Sequence, residues 1–592
     1  MAASIVAFNH DPDLRAEANR AGRNYWHEYV KEVCDRLGAT ATAIPRRDLT
    51  RDGLSPFKVL MLGSLGKEDL PADAALDAWV SAGGVLIAFG MEGLDDLFGN
   101  ECASVTPQPE DDFTLSARFA LQDDPLTAGI HSYLHPDQKL LIFSDVRNVL
   151  PRESHELARL FDLHDRDTGF AAVTHRRWGD GHAFYFAFDV PKTLWVLQQG
   201  RPVDRDYDGD GYLRLSDAVV TRGNKLEVMY ADEIVFLLQN MIAEAGIPLI
   251  HQLPPMDGRV PDALLYWGGD DEGVAGAQVA SSRFMREMGL PYHLNIMPRN
   301  GVFALTDDEA REIEANGHEL ALHLNFIDGH THPLRLTRDD IHKQMDWFTR
   351  RFGRPSVCSV FHWCLWTGWA EPALWMGECG GRADNSRIHA PSPPLNPVNM
   401  IGFSFGTAFP FHIYCDHTRG NERLDFLSEP IAAYEVGYSY TEPDRTDFDL
   451  IHKCVDLACA YHLTLNMFYH PPNVAKRENC RRAIREVLRY IQEKKAVVVH
   501  MGNDELCHWW NSRSRSTIGD VAISDAGMRC VATAAHPRGM VVKIPLRNDD
   551  VRVLCDGSAA RMTVERTFGR KWAYVVVPQG RHELEIIVFQ ES

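Results

Sequence analysis

The 592-residue chain has no CxxC pair among its twelve cysteines and no dense cysteine spacing. That excludes a disulfide framework and predicts reduced thiols in a cytoplasmic protein, with Cys358, Cys454 and Cys459 as plain core residues of apolar runs. No apolar run approaches the roughly 20 residues of a spanning helix, so no membrane partner is expected. The start, Met1-Ala2-Ala3-Ser4-Ile5-Val6-Ala7-Phe8, lacks a basic region and a long apolar stretch, and no secretory leader is expected there. Positive charge is also scarce. Lys and Arg number 61 against 82 Asp and Glu, a net −21, with no basic stripe. This balance argues against nucleic acid and anionic membranes as partners. What is present, 45% hydrophobic and 24% charged residues, is ordinary for a soluble globular protein of three or four domains.

Residues 1–250 alternate strands with helices. Ile5 to Phe8, Phe57 to Gly63 and Val85 to Phe89 are apolar strand runs. Leu14 to Leu37 has the pattern of one long amphipathic helix ended by Gly38, and Ala72 to Ser81 of a helix stopped by Gly83-Gly84. Such alternation predicts a doubly wound parallel sheet. The stretch resembles the glutamine-amidotransferase-like domains that accompany some sugar-active enzymes. Active members place a cysteine on a tight turn after a strand. Here that turn is Gly90-Met91-Glu92-Gly93, and neither Cys34 nor Cys102 stands at such a turn. The resemblance is of fold, without the nucleophile.

Further along lies Asp206-Tyr207-Asp208-Gly209-Asp210-Gly211-Tyr212-Leu213-Arg214-Leu215-Ser216-Asp217. Acids at positions one, three, five and twelve, with glycine at six, match the calcium loop of EF-hand modules. Asp206, Asp208, Asp210 and Asp217 are the tentative ligands of a structural calcium ion. The departure is Asp217, shorter than the usual bidentate glutamate, and a polar Asp/Gly turn is the competing reading.

Residues 251–516 centre on Leu264-Leu265-Tyr266-Trp267-Gly268-Gly269-Asp270-Asp271-Glu272-Gly273, an apolar strand that stops on adjacent acids. The bland alternative makes Asp271 and Glu272 first-turn acids of the helix that follows. Further strands end on or next to His323, His362, His470 and His500, each preceded by a helical stretch. This pattern predicts a β/α barrel whose mouth holds two aspartates and four histidines. Imidazole and carboxylate are the ligand set of zinc or a similar transition metal, and with no GxSxG nucleophile elbow expected this favours metal-assisted hydrolysis over covalent catalysis. The indoles of Trp363, Trp366 and Trp369 suit stacking on a sugar face, with a core aromatic cluster as the alternative. Arg382, Asp384 and Asn385, and Asn503 and Asp504 beside His500, are further strand-end groups that either line the pocket or serve as turn residues.

Here the sequence resembles the polysaccharide deacetylase (NodB-homology) family of carbohydrate esterases, whose fold is a distorted β/α barrel. Trp267-Gly268-Gly269-Asp270-Asp271 matches its first motif. The match implies Asp270 as general base and Asp271 as metal ligand. Gly317-His318-Glu319-Leu320-Ala321-Leu322-His323 matches the second and implies His323 as ligand. The family's second histidine is absent, because Ile327 stands there. His362 is the preferred third ligand, at a strand end where the family carries arginine, with His330 and His332 as the longer-loop alternative. Leu465-Asn466-Met467-Phe468-Tyr469-His470 matches the last motif, implying His470 as general acid.

Residues 517–592 carry short alternating runs, such as Val541-Val542-Lys543-Ile544 and Trp572 to Val577, which predict a small β-sandwich. The expected protein is therefore an α/β chain with an N-terminal doubly wound sheet, a central distorted barrel and a C-terminal sandwich. Its expected activity is zinc-dependent removal of an acyl group from an amino sugar or related amide. A small molecule or oligosaccharide is the expected partner, and homo-oligomerisation is open. Two alternatives stand beside it: a metal-independent amide or cyclic-ureide hydrolase of the same fold, and a catalytically silent carbohydrate-binding protein.

Overall fold

The computed structural model describes residues 4–130, 135–328, 336–391, 399–524, 527–547 and 551–588. Two compact units divide the chain. The first comprises Met1–Leu197, Tyr230–Val260 and Ser512–Ser592, and the second Gln198–Met229 and Pro261–Asn511. Among the described residues, no helix is long and apolar enough to cross a membrane.

In the first unit, the apolar runs form the parallel part of a mixed sheet. Ala41–Ile44, Val6–Asn9, Val59–Gly63, Val85–Phe89 and Gly181–Phe186 lie side by side in that order, all parallel. Val59–Gly63 and Val85–Phe89 are buried throughout, as covering both faces requires. The sheet then continues antiparallel through Asp167–Trp178, His155–Phe161, Ala117–Leu121 and Leu140–Ile142. The expected doubly wound parallel sheet is thus only part of it. The single helix expected over 14–37 is also divided. Pro12–Arg20 ends before Gly22, which takes a left-handed φ of 73°, and the chain resumes with Trp26–Tyr29 and Val30–Leu37.

The C-terminal residues form two antiparallel sheets over one apolar cluster that includes Ile518, Met528, Ile544, Val575, Leu584 and Ile586. The strand Leu249–Ile250 joins one of them, opposite Val542 and Lys543. Arg513 locks this junction. Its buried guanidinium donates to the carbonyls of Asp35 at 2.8 Å, Arg36 at 3.2 Å, Ile250 at 3.2 Å and His251 at 3.0 Å. Two of those carbonyls end the helix Val30–Leu37, where a cation is favoured.

The second unit is built on a parallel run in the order Ala433–Tyr434, Thr464–Phe468, Ala263–Asp270, His293–Ile296, Glu319–Leu324, Cys358–Phe361, Ala383–Asp384 and Arg423–Ser428. Val498–Met501 pairs with the first half of Ala263–Asp270, on which it places His500 level with Leu265. Helices such as Asp307–Ala315 and Arg338–Phe352 connect the strands, opened by capping boxes at Thr306 and Thr337. Because the strands are parallel, their C-terminal ends share one edge.

Removing the Arg513 guanidinium takes a donor from four carbonyls, of which that of Asp35 keeps the Gly38 N–H. Arg513→Met is expected to cost about 3 kcal/mol or more of the first unit's stability, seen as an earlier urea transition by circular dichroism. An unchanged midpoint would contradict this role.

Candidate active site

The shared strand edge gathers Asp270, Glu272, His323, His362 and His470. Asp270 ends its strand, and His362 directly follows Phe361. His470 follows Phe468 by two residues. One ligand atom each from Glu272, His323 and His362 lies within 4.8 Å of the others, and the same holds for Asp270, Glu272 and His470. His362 Nε2 is 3.2 Å from Glu272 Oε2, and His323 Nε2 is 3.5 Å from Asp270 Oδ2. The rings of His323 and His362 meet edge to face at 5.0 Å.

The carboxylate that joins Asp270 in this cluster is Glu272 rather than Asp271. Asp271 Oδ1 accepts from the backbone N–H of Gly273 and Met297, both at 2.9 Å, and Oδ2 accepts from Gln278 at 2.7 Å. A fully buried carboxylate with its oxygens so occupied holds the turn together. Glu272 and Gly273 take φ values of 52° and 63°, which turn the chain after Asp271. In the sequence Glu272 has a role only in the alternative reading, as a first-turn acid, and the signal that marks it is a third consecutive acid before a glycine.

Charge is strongly organised here. Burial raises Asp270 to about 8, with the neighbouring Glu272 and Asp271 charges adding to the effect against His470. Burial works against ionised Glu272, yet the His362 hydrogen bond and the surrounding imidazoles hold it down at about 2. Burial and the adjacent His362 pull His323 down to about 3, which keeps it neutral. Burial also opposes a charge on His470, but Glu435, Asp270 and Glu272 hold it up at about 9. Glu435 is fully buried and accepts from His470 Nδ1–H at 2.5 Å, from the His470 backbone N–H at 2.8 Å and from Asn473 at 3.1 Å. It also accepts from the Tyr438 hydroxyl. No local pattern marked Glu435, which follows the short strand Ala433–Tyr434.

Other expected residues lie elsewhere. Trp366 and Trp369 are buried, their N–H groups spent on the carbonyls of Trp369 and Gly200, so they form core and not a sugar platform. Trp363 alone of the three is open, 45% exposed, and its ring is 5.7 Å from His362. His500 lies within the sheet and accepts from the Trp267 indole at 3.1 Å. Asp384 is fully buried against Arg387 at 3.1 Å, an internal ion pair. Asn503 donates to Glu429 at 2.8 Å, and Asp504 accepts the Cys358 N–H at 3.0 Å. His330 and His332 lie outside the described residues. The expectation that no GxSxG elbow is present is corrected by Gly402-Phe403-Ser404-Phe405-Gly406, which has that spacing. It follows the two-residue strand Met400–Ile401 without a helix behind it, and Ser404 is 1% exposed. That geometry does not present a nucleophile.

No family model and no curated protein matches the sequence. Solved structures show partial likeness. A family 4 carbohydrate esterase from Streptomyces lividans, in complex with acetate, is 10% identical over 40% of this chain and 91% of its own, with a TM-score of 0.23. A β-galactosidase from Bacillus circulans is 16% identical over 33% of this chain and 30% of its own, TM-score 0.25. An α-L-fucosidase from Paenibacillus thiaminolyticus is 15% identical over 42% and 34%, TM-score 0.26. The chain thus spans about a third of these two glycosidases. All three are carbohydrate-processing enzymes by name, but at such TM-scores the likeness carries no assignment.

The contrast between neighbouring acids is testable. Asp271→Asn should cost about 1–3 kcal/mol of stability through its lost N–H acceptor, whereas Glu272→Gln should cost less than about 1 kcal/mol. Urea unfolding of both variants measures this, and equal costs would contradict the division of roles.

Proposed function

We propose that the second unit is a metal-dependent hydrolase that removes an acyl group from an amino sugar or a related amide, its parallel sheet being the distorted β/α barrel of polysaccharide deacetylases. The observation that carries this reading is the donor set at the strand edge. His323 is fully buried with neither ring nitrogen hydrogen-bonded, His362 Nδ1 is likewise without a hydrogen-bond partner, and Glu272 is ionised beside them. Two imidazoles and one carboxylate, with unused ring nitrogens, fit a divalent transition metal such as zinc. Glu272, His323 and His362 would hold it. Bound there, such an ion would polarise an acyl carbonyl, acidify a water molecule and favour the ionised form of Asp270.

The remaining roles belong to the protein. Asp270, with a buried Oδ1 that has no hydrogen-bond partner, is placed to accept the proton of the attacking water. His470 keeps its proton because Glu435 anchors Nδ1–H, and its Nε2, 3.6 Å from Glu272, faces the cluster. It delivers that proton to the departing amine. Trp363 offers an open ring at the rim for a sugar face. A small acylated sugar or soluble oligosaccharide is the substrate class this arrangement suits.

Two measurements test the reading. His362→Ala and Glu272→Gln should each lose most of the zinc bound by the purified protein, measured by elemental analysis, while Asp271→Asn keeps it. If Asp271→Asn comes out metal-free and Glu272→Gln does not, the ligand assignment is wrong. Wild type should release acid from an N-acylated amino sugar, and Asp270→Asn should fall by at least about a hundredfold. Turnover that survives complete metal removal would favour the metal-independent alternative. Sugar binding without turnover by the metal-replete protein would favour the silent binder.

A further inference from the structure

The acidic loop Asp206 to Asp217 belongs to the second unit and is knitted to the segment that carries His362. Its chain is tightly wound. Asp206 accepts from the N–H groups of Gly209 at 2.6 Å and Gly211 at 2.8 Å, and Asp217 from those of Tyr207 at 2.6 Å and Arg214 at 3.1 Å. These bonds shape the turn and by themselves say nothing of a ligand. The informative group is Asp208. Its side chain is 3% exposed, and its Oδ2 is buried with no hydrogen-bond donor. The nearest cation, Arg222, stands at 3.6 Å, too far to donate. Asp208 also faces the carboxylates of Asp206 and of Asp217, itself 1% exposed. A buried carboxylate oxygen among two further carboxylates and without a donor is costly unless a cation completes it.

Asp210 is already engaged, its Oδ2 by the Arg214 guanidinium, with Nε at 2.5 Å, and its Oδ1 by the Tyr212 backbone N–H at 2.9 Å, so a cation there would share it with Arg214. Among the described residues, the ion pair to Asp206, Asp208 or Asp217 is the long one from Arg222 to Asp208. Carboxylates at loop positions one, three, five and twelve, with glycine at six, are the wrapping pattern of a large hard cation, and position seven contributes a backbone carbonyl. Position seven is Tyr212. The Tyr212 ring packs edge to face on Trp363 at 5.0 Å. The next carbonyl, of Leu213, accepts the Trp366 backbone N–H at 3.1 Å, and Arg214 bridges to Leu365. Trp363 and Cys364 hold left-handed φ values of 57° and 54°, a strained pair that needs outside support.

We propose that Asp206, Asp208, Asp210, Asp217 and the Tyr212 carbonyl bind one calcium ion, and that this ion fixes Tyr212 against Trp363 and so braces the segment following His362. The brace matters for turnover only on the functional reading above, whereas binding of the ion is independent of it. Calcium is preferred over zinc because every donor is a hard oxygen.

The test uses the full-length protein, freed of calcium by a calcium-selective chelator and then dialysed. Calorimetric titration with calcium chloride should show one ion per chain. Terbium, a calcium surrogate excited through the nearby indole and phenol rings, should luminesce and be displaced by calcium. Asp208→Asn should weaken calcium at least tenfold. If that variant is misfolded by circular dichroism, Asp206→Asn, at an exposed position, takes its place with the same expected loss. Tyr212→Leu should bind calcium but lose the calcium-dependent change in tryptophan emission. An absent calcium heat, or carboxylate variants that bind as wild type does, overturns the site. An unchanged emission response in Tyr212→Leu overturns the brace. None of these readouts involves turnover, so failure here and failure of the hydrolase reading are separate results.

Discussion

The parallel pairing of Ala263–Asp270 is the constraint on which the second unit depends. This strand is fully buried and pairs with Thr464–Phe468 on one side. On the other, Val498–Met501 takes its first half and His293–Ile296 its last residues. Register in such a strand is hard to shift, because a one-residue slip would reverse every side chain. The pairing therefore fixes the depth at which Asp270 ends the strand. Parallel neighbours then bring His323, His362 and His470 to the same edge. Distances of 3.2 to 3.6 Å among side chains from distant parts of the chain follow from that one alignment.

Burial at this edge makes charge assignment sharp. Where a group is buried, its ionised form needs a partner, and its neutral form loses its reason to charge. Glu272 remains an anion because imidazoles face it, and His470 remains a cation because Glu435 lies behind it. His323 stays neutral because burial and His362 act together. The two adjacent aspartates are separated by the same logic. Asp271 is satisfied by N–H donors of its own turn, while Asp270 keeps one oxygen free. Sequence neighbours with the same side chain thereby acquire a structural and a chemical role.

The tryptophan-rich segment shows how little composition says about direction. Trp363, Trp366 and Trp369 lie within seven residues, yet two are core and one is surface. The left-handed turn at Trp363 and Cys364 sends one ring outward, where Tyr212 meets it. That contact links two stretches about 150 residues apart in sequence.

By itself, the sequence determined most local structure and the identity of several groups at the strand edge. Apolar runs set the strands, capping boxes at Thr306 and Thr337 set helix starts, and strand-end positions marked Asp270, His323, His362 and His470. These features are local, and the physics that produces them acts over a few residues. Only the tertiary structure decided that Glu272 rather than Asp271 faces the histidines, that Glu435 stands behind His470, and that Trp366 and Trp369 are interior. The antiparallel extension of the first sheet was likewise out of reach. Each of these outcomes turns on a side-chain direction or a strand pairing, and those are chosen by partners that the chain brings together only when it folds.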